Sequence, residues 1–307
     1  MKILILKKKV LTNTIFYIGI LAFSIIIIYF FYYNTGSKQT ISPINVNQNT
    51  QVDLTGDGKK ENLQLLNSQN KIDFNIISSS NNFYLSDLIN DKILFTTNNH
   101  WEPKVFLNDI SRDNIPELII QGSKNVKPIS YVFHWNKKNF NLLYSSTNNI
   151  LGIFDSKNSK TPQCYSISSS EGLASLNSFM LINDDILDTT KDNLNIPSLD
   201  SVTKFIDLVQ LPYIFDDLPD IFASTIDKKD LSLLWNLDKD NYSYSFQNGF
   251  FYDYKWDESY EPSSLRWRLS FEKSSFKGSQ NDKSEFILLL DLEKYNTSYK
   301  INSIQKI

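Results

Sequence analysis

The sequence predicts a mainly β ectodomain with an α+β C-terminal part, carried on a single N-terminal transmembrane helix. Three observations predict it. Short apolar runs rich in β-branched and aromatic residues are broken by Asn, Asp, Ser and Gly clusters, the pattern of strands and turns. Near Pro197 the apolar residues switch to spacings of three and four, the period of a helix face. Close to the N-terminus lies one long run without charge.

Composition narrows the class. Of 307 residues, 41% are hydrophobic and 21% charged, the balance of a folded chain rather than a disordered one. The 21 Phe and 16 Tyr supply large rings suited to strands and cores. A net charge of −3 argues against a nucleic-acid partner, which needs a concentrated basic surface. The lone cysteine, Cys164, allows no intramolecular disulfide and no paired-thiolate metal site, and reads as a small, partly buried residue.

Taken in order, residues 1–13 read as a cytoplasmic tail and 14–33 as the anchor. Ile15–Tyr33, IFYIGILAFSIIIIYFFYY, carries no charge, and as a helix it spans roughly 28 Å, close to the apolar thickness of a bilayer. Lys7, Lys8 and Lys9 precede the run, while Lys38 alone follows nearby, so the N-terminus is expected inside and the bulk outside. No cysteine follows for a lipid anchor, and Tyr32-Tyr33-Asn34 does not resemble a small-residue cleavage site, so the anchor is expected to remain uncleaved in the cell membrane. Residues 34–50, polar and without period, read as a linker.

Residues 51–195 read as a β-rich domain with strands at 62–66, 71–76, 118–121, 131–135 and 140–144. The last two are joined by Asn136-Lys-Lys-Asn139 as a hairpin. Residues 196–307 read as the α+β part. Leu199, Val202, Phe205, Ile206 and Val209 line one helix face that Pro212 must end. A second helix around 231–237 has Asp227 or Asp230 as its N-cap. Strands follow at 242–254, 264–272, 285–292 and 299–305, with Leu265, Trp267, Leu269 and Phe271 alternating onto one face.

The chemistry concentrates in two loops. In Asp53-Leu-Thr-Gly-Asp-Gly-Lys-Lys-Glu61, Asp53, Thr55, Asp57 and Glu61 put oxygen side chains at positions one, three, five and nine, with the Lys59 carbonyl at seven. Calcium requires six to eight oxygens, and alternate residues of a tight loop bring them to one point. Asp109-Ile-Ser-Arg-Asp-Asn-Ile-Pro-Glu117 repeats the arrangement with Asp109, Ser111, Asp113 and Glu117, and Asn114 in the place of Gly58. Neither loop is an EF-hand: position twelve of the first is Gln64, without the bidentate carboxylate. Asp188–Asn193 lacks an acid at position nine and is not counted as a third copy.

These loops, each followed by an apolar strand and the second by Gly122, resemble the calcium loops of FG-GAP or VCBS-type repeats in bacterial surface proteins. The resemblance spans about residues 50 to 145 and implies calcium at Asp53, Thr55, Asp57, Lys59, Glu61, Asp109, Ser111, Asp113 and Glu117. Position three departs from the family's Asp or Asn, which implies weaker binding, and two units cannot close a propeller. Anchor, repeats and tail together look like membrane proteins of low-GC Gram-positive bacteria.

No nucleophile elbow, phosphate-binding glycine loop or HExxH sequence is present. His100-Trp101 and His134-Trp135 read as packed strand or loop, and Asp184-Asp185 and Asp216-Asp217 as solvated loop charges. The run Phe250-Phe-Tyr-Asp-Tyr-Lys-Trp256 offers a platform for a surface glycan or a protein partner if one of its faces is open. The expected protein is non-enzymatic, of binding or structural type. A cell-envelope hydrolase with dispersed carboxylates, which leave no local signature, and an envelope sensor or assembly component stand as alternatives.

Overall fold

The computed structural model describes residues 17, 19–24, 43, 44, 46, 50–79, 81–155, 161–214, 217–277 and 283–307. Within 1–39, residues 17 and 19–24 are helical. The expected tail at 1–13, most of the expected anchor at 14–33 and most of the linker at 34–50 lie outside the described residues. Among the described residues no helix is long and apolar enough to cross a membrane.

Residues 40–307 are mainly β and begin with three antiparallel meanders in succession. The first contains β1 (Thr50–Val52), β2 (Glu61–Ser68), β3 (Lys71–Ile77) and β4 (Asn82–Tyr84), and β5 (Phe95–Thr96) returns to pair with β3. The second contains β6 (Lys104–Asn108), β7 (Glu117–Lys124), β8 (Lys127–Trp135) and β9 (Phe140–Ser146). The third contains β10 (Ile150–Phe154), β11 (Gln163–Ser168), β12 (Gly172–Ile182) and β13 (Asp185–Asp188). Two helices follow, α1 (Leu199–Gln210) and α2 (Lys228–Trp235). Four long strands complete the chain: β14 (Tyr242–Trp256), β15 (Pro262–Ser275), β16 (Lys283–Tyr295) and β17 (Ser298–Lys306).

β14 runs parallel to β10, with Ile150 opposite Gly249, and fuses the third meander to the C-terminal hairpins in one eight-stranded sheet. That sheet crosses residue 195, so the boundary expected there falls inside a layer rather than between two units.

The sheets stack face to face, each contact sealed by alternate side chains. Leu63 and Phe74 of the first sheet pack against Leu118 and Phe133 of the second. Phe106 and Ile119 on the second sheet's other face meet Phe179 and Phe250 of the third, and Phe106 stacks on Phe250 at 4.0 Å. The far face of the third sheet, with Leu265, Trp267, Leu269 and Phe271, receives Val202, Phe205, Ile206 and Val209 of α1. Each such Leu or Phe, removed from water, contributes about 1.5–3 kcal/mol.

Both helices end where their chemistry requires. The N-cap of α2 is Asp227, whose carboxylate accepts from Lys229 N at 2.8 Å. α1 stops before Pro212, and its last carbonyls are met by a buried ammonium: Lys239 Nζ donates to Leu208 O at 2.7 Å and Leu211 O at 2.8 Å. Burial lowers the pKa of Lys239 to about 8.

The aromatic run at 250–256 is not an open platform. Phe250 and Tyr252 face the second sheet, while Phe251 turns to the helix side and stacks on Trp267 at 4.3 Å. With both faces of β14 covered at Phe250–Tyr252, these rings serve the core. Cys164 is likewise buried, and burial pushes its thiol pKa up, which leaves it inert as a nucleophile.

A row of acid-clamped loops as candidate functional site

The loop between β1 and β2 is built around two carboxylates that turn inward. Asp53 Oδ1 accepts from Gly56 N at 2.7 Å and Oδ2 from Gly58 N at 3.0 Å, which winds the loop into a ring. Asp57 Oδ1 accepts from Lys59 N at 2.8 Å. Glu61, only 3% exposed, reaches back to accept from Leu54 N at 2.7 Å, and Thr55 Oγ1 donates to its other oxygen at 3.3 Å. Leu54 is thereby pressed into the first core. Gly56 and Gly58 sit at φ of +72° and +81°, a region that costs an L side chain about 1 kcal/mol or more.

The loop between β6 and β7 repeats three of these bonds at matching positions. Glu117, 1% exposed, accepts from Ile110 N at 2.7 Å, as Glu61 does from Leu54 N. Asp113 Oδ1 accepts from Ile115 N at 2.8 Å, and Asp109 Oδ2 from Asn114 N at 3.1 Å. Arg112 and Asn114 adopt φ of 66° and 69°, the conformations of Gly56 and Gly58. Ser111 closes the ring, its hydroxyl donating to Asp109 Oδ1 at 3.4 Å. The nine residue sites named from the sequence therefore form two copies of one structure.

In the third meander Asp155 follows β10 and Gln163 opens β11, with residues 156–160 outside the described residues. In sequence this segment has an amide at position nine and no acid at position five; Asp188–Asn193 lies elsewhere, from the end of β13 onward. The Asp155 N–H donates to Asp253 Oδ1 at 2.7 Å, and Trp256 Nε1 donates to Asp253 Oδ2 at 2.8 Å. Burial raises the pKa of Asp253 to about 6.

Side-chain contacts tie the loops into a row at one end of the stack. A Cβ on Gly56 would lie 2.6 Å from Ile115 Cδ1, so the first loop touches the second. The Arg112 guanidinium of the second pairs with Asp155 of the third. A buried histidine adds a further strut. His134 on β8, 1% exposed, faces Glu117 Oε1 through Nδ1 at 2.9 Å and Asp184 Oδ1 through Nε2 at 3.0 Å.

Asp184, expected to be a solvated charge, occupies the β12–β13 turn and bonds this imidazole. The hydrogen bond to Glu117 raises the pKa of His134, with burial opposing and Asp184 assisting. Nothing in the local sequence marks this constellation, since Glu117 and His134 come from the β7–β8 hairpin and Asp184 from the β12–β13 turn. No protein-family model matches the chain, and no curated protein does.

The donor set of the first loop is all oxygen, the chemistry a hard cation takes. Several of those oxygens already accept backbone N–H groups, and among the described residues no three His, Cys, Asp or Glu converge as a metal cluster. In the second loop, Glu117 is committed on both oxygens, one to backbone and one to His134. In the first loop Asp57 and Lys59 are exposed, Thr55 is half-buried, and Asp57 accepts the Lys59 N–H on one oxygen, Oδ1. A cation there would act as a crosslink across the turn, drawing together residues three, five and seven.

Proposed function

We propose that the protein is a membrane-tethered, extracytoplasmic binding or structural protein that works through the loop end of its sheet stack, and that calcium stiffens the first loop. One observation carries this reading: the same acid-clamped loop recurs at the same place in consecutive meanders and joins its neighbour through Gly56 and Ile115. A repeated, rigid turn surface is what binding modules use to hold recognition residues in fixed positions. The recurrence also supports kinship with FG-GAP or VCBS-type repeats. The tether rests on the uncharged run Ile15–Tyr33 and the lysines before it.

The test is thermal. The full-length chain in non-ionic detergent is melted with millimolar calcium and with a chelator. Calcium raises the Tm of the wild type and not of Asp57→Ala, while Asp113→Ala keeps the rise. An unmoved wild-type Tm removes calcium from the proposal.

A further inference from the structure

A cleft of about 310 Å³ opens between the first loop and the β8–β9 turn. Thr55 and Asp57 form one wall, Lys137 and Lys138 the other, and Phe83 and Trp135 contribute ring surface between them. Its size is at the small end of ligand sites, which run from roughly 300 to 1,000 Å³. We infer that this cleft binds an acidic saccharide, a sugar ring bearing a carboxylate or phosphate. The inference rests on the proposed role of the loop end as a binding surface and names the class of ligand.

Three features select that chemistry. First, the charge of the cleft is unbalanced in favour of cations. Among the described residues, Lys137 and Lys138 form no ion pair, nor do Lys59 and Lys60 at the rim of the same loop. Of the acids on the facing wall, only Asp57 is exposed. Glu61 is buried under its bonds to Leu54 N and Thr55 Oγ1, and Asp57 gives one oxygen to Lys59 N. Lys59, Lys60, Lys137 and Lys138 outnumber the loop's three carboxylates, Asp53, Asp57 and Glu61, and the excess positive charge attracts an anion.

Second, the rings are held for stacking. Phe83 and Trp135 stand edge to face at 5.6 Å, and both lean on Phe140, at 5.4 Å and 4.9 Å. The packing fixes them, and the Trp135 indole N–H, with no protein acceptor among the described residues, remains to donate to a hydroxyl. A pyranose presents an apolar C–H face for such a ring and hydroxyls around it for Thr55, Asp57 and the indole.

Third, the cleft lies at the ends of hairpins, where the sheets offer turns. An acidic peptide would add along a strand edge, and the edge at the cleft, β4, is only three residues long, too short to seat one. A rigid ring with a pendant charge is the better fit.

The experiment presents full-length chain, in non-ionic detergent, to immobilised galacturonic acid oligomers, sugar-phosphate oligomers, their uncharged parent sugars and a glutamate hexapeptide. The acidic sugars are expected to be retained at least tenfold over their parents and over the peptide. Lys137→Gln/Lys138→Gln, with an unchanged Tm, is expected to erase that preference, and Trp135→Phe to weaken retention of charged and uncharged sugars alike. No preference for acidic sugars, equal retention of the peptide, or an unaltered preference in the double lysine variant overturns the inference. The calcium shift in Tm is read in the same samples. Its survival beside a negative binding result removes the saccharide and leaves the calcium reading standing.

Discussion

Glu117 closes the second loop with one oxygen and holds a buried histidine with the other: Oε2 accepts from Ile110 N at 2.7 Å, and Oε1 faces His134 Nδ1 at 2.9 Å. Because His134 Nε2 meets Asp184 at 3.0 Å, one carboxylate links a loop of the second sheet to a turn of the third.

Two carboxylates on opposite ring nitrogens favour the doubly protonated imidazole, and the pKa of His134 is raised, chiefly by its bond to Glu117. The stabilisation is therefore complete below the ordinary histidine pKa of about 6.5 and is lost as pH rises through the raised value. Thermal melts from pH 6 upward should show Tm falling over that window, with the fall absent in His134→Gln. His134→Ala, which leaves Glu117 buried without its partner, should cost about 3 kcal/mol in a denaturant titration.

The glutamate at position nine supplies the only side-chain acceptor for the Leu54 N–H among the described residues. Glu61→Ala is expected to destabilise by about 2 kcal/mol, the cost of leaving a buried donor unmet. Glu61→Gln, which still offers a carbonyl oxygen, should cost about half as much. Equal losses for the two substitutions in chemical unfolding would mean that packing, and not the acceptor, is what Glu61 provides.

The two glycines of the first loop should respond differently. Gly58 has open space around its Cα, and Asn114 already occupies the matching position with φ of 69°. Gly58→Asn should change stability by no more than about 0.5 kcal/mol, since asparagine tolerates that conformation. Gly56→Ala meets Ile115 Cδ1 at 2.6 Å as well as the positive φ, so about 2 kcal/mol is expected. Gly56→Ala combined with Ile115→Val should recover part of the loss in the same titration.

Gly152 on β10 lies flat beneath the Phe251 ring, and any Cβ would enter that ring. Phe251 cannot withdraw, because it is stacked on Trp267. Gly152→Ala should therefore cost about 3 kcal/mol or more, with altered near-ultraviolet circular dichroism from the Trp267 environment. A mild loss with an unchanged spectrum would show that the stack is free to slide.

Much of the fold is legible from local period. Leu199 to Val209 declares a helix face, and Leu265 to Phe271 a strand face, because each sets large apolar residues at its period with mostly polar residues between them. β10 escapes because Ile150–Phe154 is buried along its whole length, which erases the alternation. The loop residues are legible because their oxygens and glycines serve a turn confined to nine consecutive positions. His134, Asp184 and the Trp135–Lys138 wall are not, since their partners are brought together by the stacking of sheets, and no spacing within one segment encodes that.

The parallel pairing of β10 with β14 also dictates the order in which the chain acquires structure. The first two sheets are assembled from neighbours in sequence and can close early by short-range hairpins. The third sheet has an unpaired flank until Gly249–Tyr252 arrives from far downstream. Until then β10 presents a bare, wholly apolar edge, the kind of surface that recruits a strand from another molecule. A nascent or truncated chain ending before β14 is therefore at its most aggregation-prone, and the segment from Tyr242 onward acts as the shield for what precedes it.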